Sequence, residues 1–291
     1  MLALLRKQDG WARTPPPSEE AVRRLLNDPP ATLREAMHLL NYGPVADYFA
    51  YRWSDPTYLS GLALLNLHEH TNVLELACGV GHYCREFTMR GIPITGVDVV
   101  YSKLWLAKKY VAPEASYVCL DAGALLPFPD KYFSTAFCHD AFYFLPNKLQ
   151  VARELQRVAH TVLIGHTHNA AIDNHSSGAP LTVAEYASLF PGATVYDDLE
   201  LTEALLNNSA PRAMGAGAAA IALAPASTGW TGMFTDPPPG APLRPNPLLV
   251  GGQIVFPSER YRAEYGGLMG YLTSDRDPVR RRALVSLPER W

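Results

Sequence analysis

The sequence lacks the features that mark several large classes of protein. Only four of its 291 residues are cysteine, and no two of them have the Cys-x-x-Cys spacing. A disulfide framework or a zinc site is therefore not predicted. Positive charge is not in excess, because 25 Lys and Arg against 28 Asp and Glu leave a net charge of −3. This balance disfavours a nucleic-acid partner, including nucleic acid as a substrate.

Long apolar segments are also missing. The weakly polar run at 213–227 is too short and too mildly apolar to cross a bilayer, and charge interrupts the first residues too early for a signal peptide. We therefore expect a cytoplasmic protein with reduced, buried thiols and no membrane association. Its composition, 48% hydrophobic and 18% charged, is typical of a chain with a sizeable core. The oligomeric state stays open, a homodimer included.

Three regions of different texture follow one another along the chain. Residues 1–70 have helical patterning and are expected to form a cap or lid. Residues 71–225 alternate between strand-like and helical segments and are expected to form the core domain. Residues 226–291 begin with a segment, 237–247, that holds six prolines and therefore excludes a helix or a central strand. We expect this last region to be an irregular extension.

Several helix starts carry side chains suited to cap the first turn. They are the pairs Thr32–Glu35 and Thr182–Glu185, which have capping-box spacing, and the single residues Ser102 and Asn147. In the core region, the predicted helices are 81–90, 102–111 and 147–158.

Short apolar runs separate these helices. The predicted strands are 72–76, 93–98, 115–120, 134–139 and 161–166, with weaker candidates at 194–198 and 219–225. Apolar strands that alternate with helices are typical of a parallel sheet covered on both faces. The fold class predicted is therefore α/β.

Acidic residues and glycines mark the ends of the first three strands. The first strand runs into a turn with Gly79 and Gly81, where glycine lets backbone amides approach a ligand closely. The second strand ends at Asp98, nineteen residues after Gly79, which is the spacing at which a carboxylate binds ribose hydroxyls. The third strand ends at Asp121. These positions indicate a ligand that contains a nucleoside.

A dinucleotide is the first alternative for that ligand. Its fingerprint needs a third glycine at position 84, where this chain has Cys84. It also gives no reason for Glu75, a carboxylate at the end of a buried strand. A buried carboxylate needs a partner or becomes neutral, so either a ligand ammonium group or an ion pair with a nearby Arg or Lys would explain it.

At this point the sequence resembles a known family, the class I S-adenosylmethionine-dependent methyltransferases. The likeness covers roughly residues 71–170. Its motifs are ELACGVG at 75–81, Asp98, CLDA at 119–122, LPFPDKYF at 126–133 and CHDAF at 138–142. The LPFPD segment is similar to the small-molecule branch of the family. The resemblance implies a Rossmann-like, seven-stranded, mostly parallel sheet with S-adenosylmethionine across the carboxyl ends of strands one to four.

The resemblance also implies roles for individual residues. Glu75 and the loop with Gly79 and Gly81 would hold the methionine part of the cofactor, and Asp98 the ribose. The adenine would lie against Asp121 and Ala122.

The loop departs from the family pattern at one position. Ala77 stands where the family usually has its first glycine, and alanine fits there if its φ is negative. We expect His139, Tyr48 and Arg52 to complete the cofactor site, the last two from a lid. The other aromatic residues of that region are expected to be mainly core.

Candidate catalytic residues follow the fourth and fifth strands. His139 and Asp140 end one, and His166 and His168 end the other, so all four are expected at the ligand edge of the sheet. Imidazole titrates near neutral pH, which makes His166 or His168 the favoured general base, with His139 and Asp140 beside the methyl group. Because several bases crowd this side, we expect an oxygen acceptor on a small molecule. The alternative is that these histidines only bond loop backbone.

Two other hypotheses remain open. His166 and His168 could bind a metal together with Asp173 and His175, although that spacing is not a known signature; we expect no stoichiometric metal. The same fold could also bind the cofactor without transferring its methyl group, as a structural or regulatory binder or a rearrangement catalyst.

Overall fold

A seven-stranded sheet forms the centre of the molecule. The computed structural model describes residues 17–43, 45–172, 178–213 and 217–291. The sheet consists of β1 (Val73–Leu76), β2 (Ile94–Asp98), β3 (Ser116–Cys119), β4 (Phe133–His139), β5 (Ala159–His168), β6 (Thr194–Asp197) and β7 (Ala220–Ala224). Its order is β3-β2-β1-β4-β5-β7-β6. Only β7 runs antiparallel to its neighbours in this sheet. The predicted α/β class and seven-stranded, mostly parallel sheet are confirmed.

Helices cover both faces of the sheet. In chain order they are α1 (Glu19–Asn27), α2 (Leu33–Leu39), α3 (Val45–Tyr51), α4 (Pro56–Leu65), α5 (His82–Thr88), α6 (Tyr101–Leu106), α7 (Lys148–Val158), α8 (Val183–Leu189), α9 (Asp198–Asn207) and α10 (Glu259–Tyr265). A π-helical turn continues α6, and a 3₁₀ turn at Arg52–Ser54 joins α3 to α4. Two apolar clusters result, one on each side of the sheet. None of the helices described is long and apolar enough to cross a bilayer.

The described part of the N-terminal region, residues 17–43 and 45–70, contains the first four helices. Thr32 and Glu35 form the expected capping box at α2, and Asp55 caps α4, accepting the amide of Tyr58 at 2.8 Å. Pro56 follows as the first helical residue, where its missing N–H costs nothing. Helix α4 then packs between β5 and α9, so the first region is anchored to the core.

One predicted cap is wrong. Helix α6 begins at Tyr101, so Ser102 lies inside its first turn and its hydroxyl shares a hydrogen bond of 2.9 Å with the Tyr42 hydroxyl. The Ser102 hydroxyl therefore makes a tertiary contact with Tyr42 instead of capping the helix. Asn147 does stand at the cap position of α7, but its side chain makes no capping bond, whereas Thr182 and Glu185 cap α8 as predicted.

The C-terminal extension packs on the N-terminal helices and adds no strand to the seven-stranded sheet. Its short strands pair with each other, β8 (Arg244–Pro245) with β11 (Leu284–Val285) and β9 (Leu249–Val250) with β10 (Gln253–Ile254). The Trp291 indole donates to the Ala50 carbonyl at 2.7 Å. The two terminal regions are therefore joined directly to each other.

Candidate active site

The loop between β1 and α5 is tied to the end of β2 by Asp98. One carboxylate oxygen accepts the Gly79 amide at 3.0 Å and the other accepts the Val100 amide at 2.8 Å. Asp98 is buried, with 6% of its surface exposed. Each carboxylate oxygen can accept more than one hydrogen bond, so Asp98 can orient the loop and still accept bonds from a ligand. The structure thus brings the glycine loop and Asp98 together, as the sequence predicts.

The two glycines of the loop have different surroundings. A Cβ built on Gly79, whose φ is +56°, would meet only the Phe49 ring, at 3.8 Å. A Cβ on Gly81 would approach the Tyr117 hydroxyl to 3.0 Å and the Ala107 methyl to 3.1 Å. Gly79 therefore faces the side open to a ligand, whereas Gly81 allows α5 and β3 to pack closely.

Ala77 does not have the negative φ that would make alanine harmless there. Its φ is +59°, in the left-handed region. The chain turns sharply here because the next amide, that of Cys78, donates to the Val97 carbonyl of β2 at 3.0 Å. A side chain with a Cβ in this conformation costs roughly 1–2 kcal/mol. The loop is therefore held in a strained conformation by its neighbours.

Replacing Ala77 by glycine is expected to stabilise the protein. Relief of the left-handed strain outweighs the extra backbone freedom of glycine in the unfolded chain, leaving a net gain of about 0.5–1 kcal/mol. The free energy of unfolding in urea measures this. The control is Ala124→Gly, at an exposed position outside the left-handed region, which should destabilise the protein. Equal losses in both variants would contradict the proposed strain.

Glu75 lies beneath the loop and is 4% exposed. Its carboxyl accepts the Cys84 thiol at 3.0 Å. Burial raises the pKa of Glu75 to about 8, although the Cys84 hydrogen bond lowers it. The partner of Glu75 within the protein is therefore a thiol and not the Arg or Lys of the ion-pair hypothesis, and the ammonium hypothesis stays a prediction.

The predicted adenine residues lie at the next strand end. The Leu120 amide donates to the Asp98 carbonyl at 3.2 Å, which holds the end of β3 beside the end of β2. Asp121 is exposed, and its carboxylate accepts the Gly123 amide at 2.9 Å. Ala122 is half-buried next to it. Asp98, Asp121 and Ala122 therefore share one edge of the sheet.

Part of the N-terminal cap closes over the glycine loop. The Phe49 ring lies near Gly79, and its carbonyl accepts the His82 imidazole at 2.8 Å. Tyr48, predicted as a cofactor contact, faces the C-terminal extension instead: its hydroxyl donates to Glu264 at 2.7 Å. Helix α3 therefore joins the loop to the extension, and Phe49, which the sequence assigned mainly to the core, is the residue beside Gly79.

Two of the four predicted catalytic residues, Asp140 and His166, lie in one chain of ion pairs. The rings of the other two, His139 and His168, lie 6.0 and 5.5 Å from the His166 ring. Arg52 donates to Asp140 at 2.7 Å, and the other oxygen of Asp140 lies 3.9 Å from His166 Nε2. His166 Nδ1 lies 2.8 Å from the carboxylate of Asp198, the first residue of α9. We call Arg52, Asp140, His166 and Asp198 the ion-pair chain. Its charges alternate between positive and negative.

Asp198 was missed by the sequence analysis, although a signal existed. The weak strand candidate at 194–198 ends in two aspartates, and β6 runs parallel to β5 because both are antiparallel to β7. Its carboxyl end therefore lies at the ligand edge. Tyr143, whose hydroxyl donates to Asp140 at 2.9 Å, was also not singled out.

Backbone strain accompanies this cluster. The φ of Asp140 is +54° and that of His166 is +43°, both uncommon for residues with a Cβ. At His166 the pairing of β5 with β7 is irregular between Ile164 and Thr167, as at a β-bulge. Strained residues of this kind concentrate at functional sites, where the surrounding structure enforces them.

The ion-pair chain separates the charge states of the two candidate bases. Burial opposes charge on His166, but Asp198 outweighs it and, with Asp140, raises the pKa of His166 to about 9. Burial and, to a smaller extent, the charge of His166 together lower the pKa of His168 to about 4. Burial also opposes charge on Asp140, but Arg52 and His166 lower its pKa to about 2. At neutral pH His166 is therefore a cation and His168 is neutral.

His139 is also neutral and is held by the backbone of α4. Its Nε2 donates to the Thr57 carbonyl at 2.7 Å, so its Nδ1 is an acceptor. Burial lowers the pKa of His139 to about 4. The ring fits because residue 165 is glycine: a Cβ there would lie 2.1 Å from His139 Nδ1.

The charge on His166 can be tested by NMR. We expect its imidazole resonances to titrate near pH 9, and to shift to a lower midpoint in Asp198→Asn. The raised pKa stabilises the folded protein fully below about 6.5, and this contribution is lost as pH rises through 9. Glu203→Gln is the control, since Glu203 lies on the same helix but pairs with Arg276. A wild-type midpoint near 6.5 would contradict the assignment.

No group of three or more metal-ligating side chains occurs in the ranges described. Asp173 and His175, the other members of the proposed metal site, lie outside them. The four cysteines, all within the described ranges, form no disulfide, and three of them are buried.

With this geometry in place, comparison with known proteins identifies the class. Residues 74–161 match the family model described as a methyltransferase domain. That range runs from β1 to the start of β5 and includes the glycine loop, Asp98 and Asp140. Together with the strand order, the match shows that the chain carries a class I methyltransferase domain, a class whose members use S-adenosylmethionine.

Several solved structures are similar to this chain. A Bacillus halodurans protein with a provisional methyltransferase name is 20% identical, with 48% of this chain and 70% of that one covered and a TM-score of 0.41. A Thermotoga maritima S-adenosylmethionine-dependent methyltransferase, named as a possible histamine N-methyltransferase, is 17% identical, with 71% and 98% covered and a TM-score of 0.45.

A third structure is the cyclase SpnF, which is 21% identical, with 50% of this chain and 66% of that one covered and a TM-score of 0.39. No curated protein matches the sequence. Likenesses at these identities and scores say nothing about the substrate or the reaction of this chain.

Proposed function

We propose that this protein transfers the methyl group of S-adenosylmethionine to an oxygen atom of a small molecule. The observation that carries the proposal is the position of Asp98. It anchors the Gly79 amide next to the point where the chain leaves β1, and the strand order reverses between β1 and β4. Ligands of open α/β sheets bind at such a switch point. The ion-pair chain follows β4 and β5 on the same edge.

The residues at the switch point fit the cofactor. Gly79 leaves space where a Cβ would stand, and Asp98 keeps acceptor capacity for ribose hydroxyls. Asp121 and Ala122 would lie against the adenine. Glu75 would act from beneath the loop, on the methionine side. When bound, the cofactor supplies an electrophilic methyl group on a sulfonium.

The acceptor side would position a hydroxyl group and receive its proton. Methyl transfer is an in-line displacement, so holding the acceptor in place supplies much of the rate. His168 is the neutral imidazole of the pair and is the base in this proposal. His166, as a cation 5.5 Å from the His168 ring centroid, would stabilise the negative charge that develops on the acceptor oxygen. The two roles that the sequence left interchangeable are thereby separated.

Arg52 and Asp140 would enclose the reaction. Their ion pair joins the N-terminal cap to the end of β4, and their side chains are 15% and 22% exposed. Closing a site in this way excludes water and strengthens the electrostatic interactions within it. Arg52 is therefore proposed as a lid residue rather than a direct cofactor contact.

Calorimetry with S-adenosylhomocysteine tests the cofactor half of the proposal. We expect saturable binding of one molecule per chain, followed by formation of S-adenosylhomocysteine from S-adenosylmethionine when suitable acceptors are screened. The absence of binding at millimolar concentration would contradict the proposal. Tight binding without product across a broad acceptor panel would favour the non-methylating alternative.

A further inference from the structure

Unpaired polar atoms concentrate around the ion-pair chain. Among the described residues, twelve buried side-chain nitrogen or oxygen atoms have no hydrogen-bond partner. Five of them belong to the ion-pair chain or to its immediate neighbours: Arg52 Nη1, Asp55 Oδ2, His139 Nδ1, His168 Nδ1 and Asp198 Oδ1. A buried polar atom that stays unpaired destabilises the folded protein. A cluster of them beside a proposed reaction centre indicates a place built for a polar ligand.

A series of contacts links the residues that carry these five atoms. Arg52 Nη1 is 3.8 Å from Asp55 Oδ1, while its Nη2 bonds Asp140. The His166 ring lies 6.0 Å from the His139 ring and 5.5 Å from the His168 ring, centroid to centroid. His139, Asp140 and His168 stand at the ends of β4 and β5. The proposed function places the acceptor hydroxyl there.

Most of these atoms are hydrogen-bond acceptors. His139 Nδ1 must accept, because Nε2 of the same ring donates to the Thr57 carbonyl. The Asp198 oxygen accepts as a carboxylate, and His168 Nδ1 can accept in its neutral ring. Arg52 Nη1 is a donor. A hydroxyl group both donates and accepts, so two or more hydroxyl groups on one ligand would satisfy several of these atoms together.

The charges around the site are close to balanced. Arg52 and His166 contribute two positive charges, and Asp140 and Asp198 contribute two negative charges in alternation with them. Burial raises the pKa of the neighbouring Asp55 to about 7, so its carboxyl adds only a partial negative charge at neutral pH. A carboxylate or ammonium group on the ligand would add an uncompensated charge to a site that is mostly buried, which is costly. The site therefore favours an uncharged ligand.

An aromatic surface flanks the same atoms. The Tyr143 ring stacks on the His168 ring at 4.1 Å with an interplanar angle of 16°, and its hydroxyl bonds Asp140. The N-terminal segment with Arg52 covers the cluster, so a ligand must enter when that segment moves away. On closure, its hydroxyl groups would replace the missing partners.

We propose that the acceptor is an uncharged ring compound with at least two hydroxyl groups, bound between Arg52, His139, His168 and Asp198. This rests on the proposed methyl transfer and specifies its substrate class. One hydroxyl group is the methyl acceptor, and the others bond the remaining unpaired atoms. The hydroxylated ring can be aromatic, as in a catechol, or saturated, as in a sugar.

A series of small probes tests this class by calorimetry in the presence of saturating S-adenosylhomocysteine. The aromatic probes are catechol, phenol, benzoate and benzylamine, and myo-inositol is the saturated polyol. We expect catechol to bind at least 10-fold more tightly than phenol, because each additional pair formed with a buried group is worth about tenfold. Benzoate and benzylamine should bind more weakly than phenol. Binding of myo-inositol instead of catechol would support a sugar-like acceptor of the same class.

Two histidine variants on β5 supply the matched comparison. His168→Phe keeps an aromatic ring stacked on Tyr143 but removes the acceptor nitrogen. We therefore expect it to weaken binding of the hydroxylated probes at least 10-fold and to leave binding of S-adenosylhomocysteine unchanged. His160→Phe, on an exposed position of the same strand, should change neither.

The outcomes separate this inference from the proposed function. If the wild-type protein does not bind S-adenosylhomocysteine, the proposed methyl transfer is contradicted, and the substrate class that rests on it is contradicted as well. If it binds, but benzoate or benzylamine binds as tightly as catechol, or no hydroxylated probe binds better than phenol, then only the substrate class is overturned. An unchanged probe affinity in His168→Phe would overturn it too.

Discussion

Replacing Asp98 by alanine is expected to weaken binding of S-adenosylhomocysteine at least 100-fold. The variant removes two charge-assisted bonds that hold the loop, to the amides of Gly79 and Val100, and the proposed bonds to the ribose. Hydrogen bonds to charged groups are worth roughly 1.5–3 kcal/mol each, so the loss of two accounts for a factor of about 100 or more. Titration calorimetry measures the effect.

The matched control is Asp197→Ala. Asp197 also ends a strand, β6, and also accepts the amide two residues later, that of Leu199, at 2.9 Å. It lies four strands away from β1 in the sheet, so its loss should leave cofactor affinity within about threefold. Equal losses in the two variants would mean that Asp98 acts only through general stability, which a thermal melt of each variant monitors.

Asp140→Asn is expected to lower kcat by about 100- to 1,000-fold with any acceptor that supports turnover. Asp140 contacts Arg52, Tyr143 and His166. The asparagine amide is uncharged, so Arg52 and His166 lose the carboxylate that they share. Removing one preorganised electrostatic contact at a reaction centre typically costs roughly 2.7–4 kcal/mol. Single-turnover transfer from S-adenosylmethionine, at saturating acceptor, separates this loss from weaker binding.

Asp130→Asn is the control for this variant. Asp130 also bonds an arginine, Arg157, at 2.8 Å, but its side chain is 76% exposed and it precedes β4, at the end of the strand opposite Asp140. Exposed pairs contribute little, so activity should be retained. A loss of less than threefold in Asp140→Asn would place the reaction away from the ion-pair chain.

Much of the fold could be predicted because local patterns and tertiary structure agree. The five stronger strand candidates and the two weaker ones all form strands of the sheet, since short apolar runs between helices can be buried only in a central sheet. The capping box of Thr32 and Glu35 forms because both partners lie within one turn. The glycine loop and Asp98 meet because successive parallel strands end at one edge.

Features that depend on distant partners could not be predicted. Ser102 does not cap its helix because its hydroxyl bonds that of Tyr42, which lies sixty residues earlier in the chain. Ala77 has a positive φ because the amide after it must reach β2. Tyr48 turns to Glu264 in the C-terminal extension, whose docking on the N-terminal helices has no local signal.

The sequence by itself determined the order of strands and helices and the residues at the ligand edge, because periodicity and turn chemistry are local properties. Only the tertiary structure decided which of those residues carry charge. His166 and His168 are two positions apart on one strand, yet the carboxylate of Asp198 makes the first a cation, and burial keeps the second neutral. Electrostatic energy depends on distance in space and on solvent exposure, and neither quantity follows from the spacing of residues along a chain.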